Sequence, residues 1–146
     1  MAAEAPGRPC LVAGYDRCPA AQAAVRYAAD LAGRLGARLL VVHVVGLADY
    51  PIDPDAADWE AQARSTVAAE HGQVRDLLDG RGLDWEFVLE RGDPAARLAE
   101  VADRAHAVMT VIGAQRHRLA AGPVTRHLTR HSRRPVLLVP VESGLR

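Results

Sequence analysis

The residues best equipped for chemistry gather in two stretches of the chain. In the first, an apolar run (Leu11-Val12-Ala13-Gly14-Tyr15) ends in Asp16, and Arg17, Cys18 and Pro19 follow. Pro19 suits the first position of a helix, which makes Cys18 its N-cap. A thiol there feels the positive end of the helix dipole and the charge of Arg17, both of which favour the reactive thiolate. This is the basis for a thiol-based redox sensor; the plainer reading is a substituted helix cap. Cys10 reads as a small core residue. In the second stretch Arg116, His117, Arg118, Arg126, His127, Arg130, His131, Arg133 and Arg134 fall within nineteen residues, with no acid among them. Arg126 and Arg130 share a helix face, as do His127 and His131. Such a patch could hold a phosphate, a nucleotide tail or an acidic partner. The plainer reading, and the one favoured, is a solvated face balanced by the acidic stretch from Asp49 to Glu60 of the same chain or of a dimer mate. The histidine pair has metal-ligand spacing, but no carboxylate lies near it in sequence and the flanking arginines repel a cation, so no metal is expected.

Enzyme chemistry finds little support. His43 sits among valines in a run that reads as buried, and Trp59 and Trp85 read as covers for a sheet. No Ser-His-Asp signature, nucleophile elbow or zinc motif is present. All 18 basic residues are arginine. The absence of lysine excludes a Schiff-base lysine, the lysine of a phosphate-binding P-loop and a serine–lysine dyad.

The elements that must position these residues follow from periodicity. Pro9 to Tyr15 reads as a strand, and Ala20 to Leu35 as a helix with Ala21, Ala24, Val25, Ala28, Leu31, Ala32 and Leu35 at helical spacing, stopped by Gly36. Ala37 to Val45 is a continuous apolar run, as expected for a strand covered on both faces. A loop rich in aspartate and proline (46–58) leads to a helix over Trp59 to Leu78, then a strand over Leu83 to Arg91. Asp93 caps a helix that starts at Pro94 and runs to Arg104. A strand over Ala107 to Ile112, a loop over Gly113 to Ala121, a helix over Gly122 to His131 and a strand over Pro135 to Val141 complete the chain. The strict β-α alternation predicts an α/β fold with an open parallel sheet and helices on both faces. Ligands of such sheets bind at the carboxyl ends of strands where the winding reverses. Two loops compete for that place, one after the first strand and one after the fourth.

At 146 residues and 15.6 kDa the chain reads as one domain, 1–146, with a core over about 10–141. Its 49% apolar and 25% charged content excludes disordered, collagenous and low-complexity classes. No run suits a membrane span, and the first residues carry no apolar core long enough for a secretory signal, so a cytoplasmic protein is expected. A net charge of zero gives no bulk field for nucleic acid or an anionic membrane.

The order of these segments resembles the universal stress protein family. The resemblance rests on Leu11 to Asp16, on Leu40-Val41-Val42-His43-Val44, on Arg91-Gly92-Asp93-Pro94-Ala95, on Val111-Ile112-Gly113, and on Gly122 to Arg126 leading to Arg134-Pro135-Val136-Leu137-Leu138-Val139-Pro140. It implies a five-stranded parallel sheet in the order 3-2-1-4-5, Rossmann-like, and a homodimer through the last strand. It also implies a regulatory or protective role in stress response without catalysis, with Asp16, Val42, Gly113, Arg116, Gly122 and Thr125 at the positions where family members hold a nucleotide. Members that bind ATP carry Gly, two residues, Gly, nine residues, then Gly and Ser or Thr. In this chain Arg116 stands at the second glycine, eight residues separate Gly113 from Gly122 where the pattern has twelve, and Pro123 replaces the hydroxyl residue. Glycines and helix N-termini make phosphate cradles because their N–H groups converge on the anion. A short, glycine-poor loop with proline therefore resembles the branch that binds ATP weakly or not at all; a switch module occupied by ATP is the alternative.

Overall fold

The computed structural model describes residues 7–16, 18–46, 59–114 and 123–141, without the side chains of residues 59, 60 and 62. The elements run β1 (Cys10–Gly14), α1 (Pro19–Leu35), β2 (Arg38–Val45), α2 (Trp59–Leu78), β3 (Trp85–Arg91), α3 (Pro94–Arg104), β4 (Met109–Ala114), α4 (Pro123–His131) and β5 (Val136–Pro140). All strand pairs are parallel, and the sheet order is β3-β2-β1-β4-β5. Both the α/β class and this order are those the sequence implies.

Alternation along the central strands divides the core into two layers. Leu11, Ala13, Leu39, Val41 and Val111 face α1 and α2, while Val12, Leu40, Val42 and Ile112 face α3 and α4. The buried side of α1 consists of Ala20, Ala21, Ala24, Val25, Ala28, Ala29 and Ala32. Side chains this small bring the helix backbone close to the sheet. Gly36, at φ 65°, ends α1 in the left-handed conformation, and the Ala37 N–H closes the turn on Ala32 O at 2.9 Å. At α3, Asp93 Oδ2 accepts from Ala96 N–H at 2.9 Å, the expected N-cap.

β4 starts two residues later than its apolar run. The Ala107 N–H still closes the end of α3 on Ala102 O (2.9 Å), and His106 adopts φ 51° in that turn. The strand consequently extends to Ala114, and Gly113 lies within it, paired with Val139, rather than opening a loop. Among the described residues no helix is long and apolar enough to cross a membrane.

Candidate functional site

β1 lies between β2 and β4, so the chain winds outward to one side through β2 and β3 and to the other through β4 and β5. The carboxyl ends of β1 and β4 flank the crevice where this reversal occurs. Asp16, exposed, lies two residues beyond β1, and its Oδ1 accepts from Cys18 N–H at 3.1 Å. Cys18 is the N-cap of α1 in extended conformation (φ −64°, ψ 151°), and its side chain makes no cap hydrogen bond. The Asp16 carboxylate, not the exposed thiol, therefore holds the turn into the helix.

The second wall of the crevice is the end of β2. Val42 is buried (1% exposed), and its carbonyl accepts from Tyr15 N–H at 2.9 Å. This is the last bond of the β1–β2 ladder. Main-chain groups of a parallel strand turn alternately to its two neighbours. Leu39 N–H and Val45 O bond toward β3, to Asp84 O and Gly92 N–H, whereas Val42 O bonds toward β1. Val44 therefore turns its N–H and C=O toward the β1 side, beyond the point where β1 has ended. Of the two β2 positions, Val44 offers main-chain groups to the crevice, and the Val42 carbonyl is spent within the sheet.

Tyr15 is fixed at three points. Its hydroxyl donates to Gln73 Oε1 of α2 at 2.6 Å, its N–H goes to Val42 O, and its carbonyl accepts from His43 Nδ1 at 2.9 Å. The far ring nitrogen, Nε2, lies 3.0 Å from Oε2 of Glu70, also on α2. His43 is 8% exposed and Glu70 1%. A carbonyl can only accept, so Nδ1 carries a hydrogen, and Nε2 stands within ion-pair distance of Glu70 Oε2. A buried carboxylate requires such a partner. Glu70 and Gln73 support the candidate site through His43 and Tyr15, and sequence reasoning missed them. The signal was available: Glu70 is in phase with Val67, Val74 and Leu78 on the apolar face of α2, opposite a histidine in an apolar strand.

On the opposite wall, Gly113 is a packing residue. A Cβ there would overlap the Ala20 carbonyl of α1 and approach Ala20 Cβ to 2.7 Å. Thr125 is half-buried in the first turn of α4. Arg116 and Gly122 lie outside the described residues, as do His117 and Arg118. On α4, Arg126, Arg130 and the two histidines are exposed around the buried Leu128. His127 and His131 meet edge to face with centroids 4.6 Å apart, and His127 Nδ1 lies 3.6 Å from Asp93 Oδ2. The fold thus brings a carboxylate to the histidine pair that sequence distance had separated from it. Among the described residues no group of three or more His, Cys, Asp or Glu is arranged to hold a metal ion. Trp85 covers the sheet as expected, half-buried beside Phe87, and His71 packs against both rings, stacked on Phe87 at 4.7 Å.

Comparison with known proteins gives a consistent answer. The sequence model of the universal stress protein family matches residues 10–140. No curated protein matches the chain. Among solved structures, a protein of the universal stress protein family from Burkholderia pseudomallei is 24% identical, with a TM-score of 0.71 over 94% of this chain and 99% of that one. A universal stress protein in complex with cAMP is 21% identical, with a TM-score of 0.72 over 92% and 98%. One from Archaeoglobus fulgidus in complex with dAMP is 21% identical, with a TM-score of 0.68 over 90% and 97%.

Proposed function

The chain belongs to the universal stress protein family, and from that premise we propose that it is a cytoplasmic, non-catalytic regulatory domain whose crevice takes the adenosine half of a nucleotide and holds a triphosphate only weakly. The observation that carries this reading is the end of the β1–β2 ladder. It leaves the N–H and C=O of Val44 facing the crevice beyond the end of β1, the strand that leads through Tyr15 to Asp16. An adjacent donor and acceptor of this kind match the edge of a planar base, and the two similar structures noted above are complexes with cAMP and dAMP, which share the adenine base. Weak retention of a triphosphate follows from the opposite wall. Gly113 is required by the approach of α1, so its presence is no sign of a phosphate cradle. Pro123 begins α4 without an N–H to donate. Calorimetric titration with AMP tests the reading: a saturable isotherm is expected, and absence of any heat of binding at millimolar AMP overturns it.

The same reading includes a homodimer through β5. This strand is an edge of the sheet, and Leu138 on it is 40% exposed. An apolar edge of this kind invites pairing with a second copy, which two-fold symmetry would close. Light scattering at micromolar concentration should return twice the chain mass; a strictly monomeric mass refutes this part.

A further inference from the structure

We infer that His43, held by Glu70, is a positioning residue that keeps the Val44 main chain available for a ligand by occupying the carbonyl that would otherwise close on it. The inference rests on the crevice reading above for the identity of the ligand, and on hydrogen-bond geometry alone for the device itself. In a parallel ladder a residue that donates its N–H to one carbonyl of the neighbouring strand accepts, at its own carbonyl, the N–H two residues further along that strand. Tyr15 N–H donates to Val42 O. The regular continuation is therefore Val44 N–H donating to Tyr15 O, which would extend the sheet by one bond and seal the crevice. Instead Tyr15 O accepts from His43 Nδ1 at 2.9 Å. Among the described residues no acceptor is found for Val44 N–H, although Val44 itself is only half-buried and continues in register with Glu90 of β3.

The arrangement works because His43 and Val44 project to opposite sides of β2. His43 is on the α2 side, where its ring reaches back over the end of β1, and Val44 packs with the α3 side. Glu70 contributes what the ring needs to stay there. With Nδ1 committed to the carbonyl, the Nε2 edge faces Oε2 at 3.0 Å between two buried side chains, and this close approach holds the ring against α2. The cost of burying a carboxylate on an otherwise apolar helix face has a function on this account. The chemical class of ligand that benefits is a planar heterocycle or amide presenting an acceptor beside a donor, as the Watson–Crick edge of adenine does.

Two substitutions separate the contacts. In His43→Gln the terminal amide nitrogen replaces Nε2, keeping the contact to Glu70 and losing the donor to Tyr15. In His43→Asn the amide nitrogen replaces Nδ1, keeping the donor and losing the contact to Glu70. Hydrogen exchange of individual amides, read by NMR on the ligand-free protein, is the primary measurement. In the parent, Val44 N–H should exchange much faster than Val42 N–H, and this comparison needs no variant. His43→Gln should slow Val44 exchange by about tenfold or more as the ladder closes, and should weaken AMP binding by about tenfold, the scale of one hydrogen bond. His43→Asn, which keeps the donor to Tyr15 but not the support of Glu70, should fall between the parent and His43→Gln in both readings. Equal protection of Val42 and Val44 in the parent overturns the inference, as does unchanged Val44 exchange in His43→Gln. If AMP fails to bind the parent, the proposed function falls while the exchange data still decide the role of His43.

Discussion

Replacing Gly113 with alanine should destabilise the protein severely with no nucleotide present. The added Cβ would overlap the carbonyl carbon and oxygen of Ala20 and stand 2.7 Å from its Cβ. Ordinary carbon contacts begin near ~3.5 Å, so β4 and α1 must part by about 1 Å. The obstacle is helix backbone, which cannot rotate away, and the seven buried residues of α1 resist a shift of the helix. Overpacking costs about 1–3 kcal/mol in general, and a backbone obstacle places this case at or above about 3 kcal/mol. Total stability of such a domain is about 5–15 kcal/mol, and the melting temperature should fall by roughly 6–12 °C. Gly14→Ala is the control. Its Cβ would meet Leu98 Cδ1 at 3.2 Å, the far end of a flexible side chain, and the cost should stay below about 1 kcal/mol. Urea unfolding of both variants decides the matter. A Gly113→Ala protein within about 0.5 kcal/mol of its parent, the range of inert surface substitutions, would refute the reasoning and return Gly113 to the candidate ligand residues.

Other substitutions test the frame around the site. Gly33 and Gly72 lie inside α1 and α2 with open space where a Cβ would go, so each change to alanine should stabilise by about 0.5–1 kcal/mol, read as a higher denaturant midpoint. Asp93→Ala removes the acceptor for Ala96 N–H and should cost about 1 kcal/mol by the same assay, while calorimetry should show AMP affinity unaltered. Leu128, fully buried under α4, should cost about 2–5 kcal/mol on truncation to alanine.

The succession of elements and the helix boundaries were legible because apolar periodicity and the punctuation at Pro19, Gly36 and Asp93-Pro94 are local signals. The resemblance of ordered motifs then supplied the arrangement 3-2-1-4-5. What local signals could not convey was contact. Gly113 reads in sequence as a loop glycine near a ligand, but its constraint comes from Ala20, more than ninety residues earlier in the chain. Val42 matches a family position by motif, yet only the alternation of ladder bonds tells which of Val42 and Val44 turns its main chain to the crevice. Glu70 and His43 each break an apolar pattern, and each alone suggests only a tolerated polar residue. Their pairing becomes visible when α2 is laid across β2.

The central claim is that the crevice reads the base and does little for the polyphosphate. Calorimetric titration with AMP and ATP, in low salt and in 0.5 M salt, tests it most directly. The account predicts that ATP binds with a dissociation constant of about 0.1 mM or weaker, about −5.5 kcal/mol or less favourable. Any advantage of ATP over AMP should vanish in high salt, where the Debye length shrinks to about 4 Å and the attraction of the α4 arginines is screened. ATP bound at low-micromolar affinity in 0.5 M salt, well above AMP, would contradict it and show that a working triphosphate cradle exists.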